Sequence, residues 1–336
     1  MTRAGFAPRT MRNLVSVVTC AALGALCALA APPAVAQSWP EKTITIVACF
    51  PPGGGTDAMS RFVNTPLQEA LGKPVVVENR AGASGNIAIQ MVARAAPDGY
   101  TILGCSSSYA LNPSLLAGAN YDPLKDFIPL MLVGASPNIL VVPASSPHKT
   151  MKDLIAFAKA NPGKLNWTSA GAGTTAYLGT EYMKQQLGLE MVHVPFTGAG
   201  PATQAAVAGQ VDLYASAIGT IQGQIDGGQL RPLAITTRER WKSLPDVPTL
   251  IELGIKDAEF DTFQSLFLPA GVPKPIVDRL ASELTKALAN PELKSRIEKS
   301  GLPVLALGPE KFMARLEKEV PFYKDIIEKG GLKPKQ

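Results

Sequence analysis

The sequence has 336 residues, with 32 lysines and arginines against 27 aspartates and glutamates, and 2 histidines. With the arginines of the N-terminal segment set aside the charge is nearly balanced, so neither nucleic acid nor an anionic surface is expected as a partner. His148 and His193 are too few for a histidine metal cluster, and neither a metal nor a cofactor is expected.

Residues 1–36 read as a cleaved export signal. Arg3, Arg9 and Arg12 form a basic start without an acid, "LVSVVTCAALGALCALAA" is an apolar core, and "AVA" before Gln37 is a small-residue cleavage site. An uncleaved anchor is the alternative for an apolar stretch of this length. Pro32, Pro33 and the cleavage pattern favour removal near Ala36. Apolar residues follow Cys27, which argues against a lipidated cysteine there. No later segment is long and apolar enough to span a bilayer, so the expected product is a soluble exported protein with room for two cores.

"TITIVAC" (43–49), "KPVVVEN" (73–79) and "GYTILGCS" (99–106) are short and β-branched, with Gly or Pro nearby, and are expected as strands. Between them, "DAMSRFVNTPLQEALG" and "GNIAIQMVARAA" carry apolar residues at helical spacing. Strands and helices alternating in such short units predict an α/β fold with parallel sheets. The same grammar returns from Lys164 to Gly219. A strand again meets a Gly-rich loop ending in Thr (Thr56, then Thr174), and a helix again ends at Leu-Gly (Leu71-Gly72, then Leu187-Gly188). This weak internal repeat predicts two units of the same build, one per domain.

"SPNILVVPASSP" (136–147) and "EFDTFQSLFLPAGVP" (259–273) are plausible crossing segments. The expected division is 37–142 plus 263–336 for the first domain and 143–262 for the second. Residues 273–301 should form a helical pair, and 308–331 a closing helix on the first domain. Cys49 and Cys105 each end a predicted strand. They could pair if those strands are neighbours, but two separate buried thiols are the preferred expectation.

Four Gly-rich loops stand out: "PPGGGTD", "RAGASGN", "TSAGAGTT" and "FTGAGPA". In an open parallel sheet such loops lie beyond the carboxyl ends of the strands, where helix N-termini offer free N–H groups and partial positive charge. Glycines let an anion reach those groups. A P-loop would need a lysine that none of these loops supplies, and "GGGTDA" lacks the third glycine of a dinucleotide fingerprint. A serine hydrolase using Ser106, Ser107 or Ser108 would have to draw its base from His148, in a linker, or His193, which reads as a packed core histidine. Non-catalytic anion binding is therefore the preferred class. Asp57 is expected to complement its helix dipole and hold loop N–H groups rather than touch an anion.

The motifs "PPGGGTD", "VVVENRAGASGN", "APDGYT", "HVPFTGAGPATQAAVAGQVDL" and "LPAGVP" resemble those of the periplasmic receptors of tripartite tricarboxylate transporters, the Bug-type receptors, over nearly the whole chain after the leader. The resemblance implies a two-domain Venus-flytrap fold of the periplasmic-binding-protein type with two crossing segments. It implies a non-enzymatic, monomeric receptor that hands a small carboxylate to inner-membrane transporter subunits. A receptor that presents its ligand to a membrane sensor kinase is the alternative.

By the same resemblance a ligand carboxylate is held by Gly53, Gly54, Gly55, Thr56 and Asp57 and, across the cleft, by Ser169, Ala170, Gly171, Ala172, Gly173, Thr174 and Thr175. The far end of the ligand is expected at Ser106, Ser107 and Ser108, at Phe196, Thr197, Gly198, Ala199 and Gly200, and at Ala217, Ile218 and Gly219. The chain departs from the family pattern at Cys49, at Tyr177 where a histidine is frequent, and in "TFQSLF" where a tryptophan is frequent near Ser265. Tyr177 and Phe263 could stack on a flat ring, which makes an aromatic carboxylate such as a benzene dicarboxylate one candidate beside aliphatic acids and acidic amino acids.

Overall fold

The computed structural model describes residues 39–329 and 331–332; the leader and its cleavage point lie outside them. No helix among the described residues is long and apolar enough to cross a membrane. Residues 42 onward form one unit built on two sets of parallel strands joined by antiparallel ones.

In the first lobe β1 (Ile44–Ala48) lies between β2 (Val75–Asn79) and β3 (Thr101–Ser106), parallel to both. Helix α1 (Gly55–Leu71) follows β1. It buries Met59, Val63, Leu67 and Leu71, which recur every four residues and so share one face. Gly72 ends it in the left-handed conformation at φ 65°, with its N–H bonded to the Gln68 carbonyl. A 3-10 turn (Ala83–Gly85) leads into α2 (Asn86–Ala93), and α3 (Ser108–Leu115) follows β3.

Strand β4 (Phe127–Pro143) is the first crossing. It is longer than the sequence predicts, because its first part belongs to one lobe and its second part to the other. The second lobe holds α4 (Met151–Ala160), β5 (Asn166–Thr168), α5 (Thr175–Leu187), β6 (Val192–His193), α6 (Ala199–Val207), β7 (Leu213–Ala217), α7 (Ile218–Asp226) and β8 (Leu230–Ile235). Here β5 is parallel to β6 and β7, and β7 and β8 pair antiparallel with the end of β4. Strand β9 (Asp261–Pro269) returns antiparallel to both β4 and β3. Helices α8 (Lys274–Ala289) and α9 (Pro291–Lys299), strand β10 (Val304–Leu307) and α10 (Pro309–Lys329) complete the chain, α10 packing on α3 and β4. The sheets are therefore mixed rather than purely parallel. The chain leaves along β4 and comes back along β9, and two such strands side by side must run in opposite directions.

Asn138 marks the crossing. Its Nδ2 donates to Thr175 Oγ1 and to the Phe260 carbonyl, both at 3.1 Å, and its Oδ1 accepts from Thr262 Oγ1 at 2.7 Å. One buried amide thus ties β4, α5 and the start of β9 together. On β9, Arg315 Nη2 from α10 donates to both Asp261 oxygens, at 2.7 and 2.8 Å.

The expectation of two separate thiols is corrected: Cys49 and Cys105 form a disulfide, with Cα atoms 5.3 Å apart. The parallel register pairs Ala48 with Gly104, so the next residue of each strand meets its counterpart. The bond lies buried where β1 and β3 give way to their loops.

Candidate functional site

Beyond the carboxyl ends of the parallel strands, a cleft of about 450 Å3 separates the lobes. Phe50, Gly54, Gly55, Thr56 and Ser106 line it from the first lobe. Ala170, Thr174, Ala176, Ala199, Ser216, Ala217 and Thr220 line it from the second, and Thr262 and Gln264 from β9. None of these side chains is charged. Four helices, α1, α5, α6 and α7, place residues of their first turn or cap in this wall, so the partial positive charge of their N-termini converges on the cleft.

The first loop is braced from behind. Gly53 sits at φ 82°, a left-handed conformation that favours glycine. Its N–H donates to Asp57 Oδ2 at 3.1 Å, while Asp57 Oδ1 accepts from Arg61 Nε at 3.0 Å and Asn79 Nδ2 at 3.1 Å. Asn79 Nδ2 also holds the Phe50 carbonyl at 2.9 Å. Burial would raise the Asp57 pKa, but the bonds from Arg61, Gly53 and Asn79 outweigh it and hold the carboxyl below its usual range. Asp57 is absent from the cleft wall; its charge is spent on the loop.

On the facing loop, Thr174 caps α5 by accepting from the Tyr177 N–H at 3.2 Å. Thr175 is buried and bonds Thr262 Oγ1 at 2.7 Å. Ser107 Oγ reaches Thr175 Oγ1 at 3.4 Å, and Ser106 and Ser108 pair their hydroxyls at 3.1 Å. Ser169 bonds the Gly171 carbonyl, and Ile218 lies in the second lobe's core. Ala172 packs on the main core and Phe196 on the second one, Thr197 is exposed, and Gly200 passes beside Pro52.

The lobes touch around the cleft. The Gly173 N–H donates to Ser84 Oγ at 3.0 Å, and Asn112 Nδ2 donates to the Ser84 carbonyl at 3.0 Å. Ala83 and Ser84 hold left-handed conformations, at φ 45° and 52°, that non-glycine residues seldom adopt. A side chain at Gly198 would meet Pro51, and one at Gly219 would meet the Gly301 and Ser300 carbonyls.

Two expected ring contacts are corrected. Tyr177 turns into the second lobe and packs on Trp167 and His193, with ring centroids 5.5 and 5.0 Å away, and burial pushes its pKa up to about 12. Phe263 is fully buried against Phe312. Successive residues of a strand face opposite sides, so β9 turns Thr262 and Gln264 to the cleft and Phe263 to the core. The sequence reading also missed Phe50, Ala176, Ser216 and Thr220. The alternation in "TFQSLF" held a signal for Gln264, since a polar residue two places from Thr262 shares its face.

His193 packs 4.5 Å from Trp167, and its buried Nε2 has no hydrogen-bond partner. Burial, helped by Lys184, lowers its pKa from 6.5 to about 4. The unfolded chain therefore takes up a proton near pH 6.5 that the folded protein refuses until about pH 4. Stability should fall across that window as pH drops. Urea midpoints measured against pH should show the fall in the wild type and a flatter curve in His193→Gln.

Two lobes, two crossing strands and a cleft at the strand ends define a solute-binding protein of the periplasmic type. The chain belongs to the tripartite tricarboxylate transporter receptor family, whose model matches residues 59–332, and it is of the Bug type. The structure of the periplasmic binding protein BugD is 33% identical, with a TM-score of 0.83 over 88% of this chain and 100% of that one. A Rhodopseudomonas palustris protein solved with adipate is 30% identical, with a TM-score of 0.83 over 87% and 98% of the two chains. MatC from the same organism, solved with bound malate, is 30% identical, with a TM-score of 0.82 over 86% and 100%.

Proposed function

We propose that this protein is a non-enzymatic periplasmic receptor that takes up a small aliphatic carboxylate in its interlobe cleft and delivers it to a tripartite membrane transporter. The carrying observation is the cleft wall: it has no charged side chain, and four helix N-termini feed it. Such a wall suits a carboxylate held by N–H and hydroxyl donors, tightly enough to capture and loosely enough to release. The adipate and malate held by two relatives support the ligand class. An aromatic acid is the less favoured ligand, because Tyr177 and Phe263 face away and Phe50 is the one aromatic side chain in the wall.

The ligand contacts are assigned to Gly54, Gly55, Thr56 and Ser106 on one lobe and to Ala170, Thr174, Ala199 and Ala217 on the other. The lobes are assigned to 37–142 with 263–336 and to 143–262. The crossing on β4 itself falls earlier, at Asn138, whose partners Thr175, Phe260 and Thr262 and whose paired strand β7 all belong to the second lobe. A thermal-shift panel of malate, adipate, citrate and phthalate tests the function. At a hundred times its dissociation constant a true ligand should add about 2.7 kcal/mol. A shift with phthalate alone would overturn the aliphatic assignment, and no shift with any acid, before or after refolding to remove a carried ligand, would overturn the receptor reading.

A further inference from the structure

The space between the lobes is divided. A second chamber of about 460 Å3 adjoins the first and shares Gly54, Gly55, Ala217, Thr220 and Gln264 with it. Its own wall adds the apolar Met59, Phe62 and Leu302 beside Ser136 and Ser300. Of the shared residues, Gln264 has the longest side chain, and it is 6% exposed.

Its amide is held by one buried bond. Thr56 Oγ1 donates to Gln264 Oε1 at 2.8 Å. With the oxygen fixed on Thr56, the amide nitrogen lies toward Gly55 and Thr220. A Cβ built on Gly55 would sit 3.0 Å from Gln264 Nε2 and 3.4 Å from Thr220 Oγ1. Gln264 therefore presents a donor beside the N-terminus of α1, where the ligand's anionic end is placed.

We propose that Gln264 is the residue that sets ligand length and end-group chemistry, acting as a wall between the chambers that carries a hydrogen-bond donor. The inference rests on the carboxylate reading above. A short dicarboxylate fits on one side of the wall with an oxygen toward Nε2. A ligand ending there in an ammonium meets a second donor and is disfavoured. A longer chain enters the second chamber, with its Met59, Phe62 and Leu302, only by moving Gln264 and breaking its buried bond to Thr56.

Calorimetry with succinate, adipate and suberate on the wild type, Gln264→Ala and Gln264→Met tests this. The wild type should prefer the shorter acids. Gln264→Ala removes the wall and should shift the suberate-to-succinate affinity ratio about tenfold or more toward suberate. Gln264→Met keeps the wall and removes the donor, so it should keep the length preference and weaken every acid about tenfold. Unfolding midpoints verify that both variants fold. If the wild type binds none of the three acids, the carboxylate reading falls. If it binds them and Gln264→Ala leaves the ratio unchanged, the wall falls alone; if Gln264→Met binds as the wild type does, the donor role falls.

Discussion

Gly173→Val should weaken ligand binding about a hundredfold while leaving the ligand-free protein nearly as stable as before. In the structure a Cβ at Gly173 would lie 2.1 Å from Asn112 Oδ1 and 2.6 Å from Ser84 Cβ, both on the opposite lobe. Asn112 is fully buried and its Nδ2 is tied to the Ser84 carbonyl, so its amide has little freedom to give way. The obstacle lies across the cleft, so a protein that opens when empty, as the flytrap fold implies, meets it only on closing. Overfilling a packed contact typically costs about 1–3 kcal/mol, and here that cost falls on the closed state alone. Ligand affinity carries it in full, because a ligand that bridges the lobes is held only after closure. Calorimetry should read the loss and urea unfolding without ligand should read almost none. Unchanged affinity would mean that the Ser84 contact plays no part in capture; a large loss of ligand-free stability would place the same contact in the resting protein.

Removing the disulfide should have the opposite signature. Replacing Cys49 and Cys105 together with alanine should lower unfolding stability by about 4 kcal/mol, the chain-entropy value for a loop of this length. The residues are 56 apart, and both lie fully buried among the ends of β1 and β3. The crosslink restricts the unfolded chain far more than the folded one, where strand pairing already holds the register. Urea unfolding of the double variant against the oxidised wild type measures the loss. A loss below about 1 kcal/mol would mean that the unfolded chain keeps this region together without the bond.

Much of this architecture can be read from residue pattern. The repeat of strand, Gly-rich loop and helix around Thr56 and Thr174 gives two similar α/β units, and the short β-branched runs fall on β1, β2 and β3. The loops that form the cleft were visible for the same reason: glycines between a strand and a helix have a local cause. Facing direction was less accessible. Tyr177 and Ala176 are neighbours on α5, yet a turn of about 100° per residue sends one into the core and the other to the cleft. Phe263 and Gln264 differ by one place on β9 with the same result. The disulfide depends on which strands lie side by side and in what register, which no single segment reveals. Strand β8, strand β10 and the first part of β4 went unseen because their pairing partners lie far along the chain.

The uncharged lining of the cleft has a consequence for the speed of capture. A site built on arginine or lysine attracts anions from a distance, and that pull weakens as counterions crowd around it. Helix ends act within about one turn, after the ligand has already arrived. Arrival is then ordinary diffusion, and the number of molecules caught per second follows their concentration rather than the salinity of the surroundings. For the proposed receptor, in a periplasm where salt changes with the medium, capture would then report on supply alone.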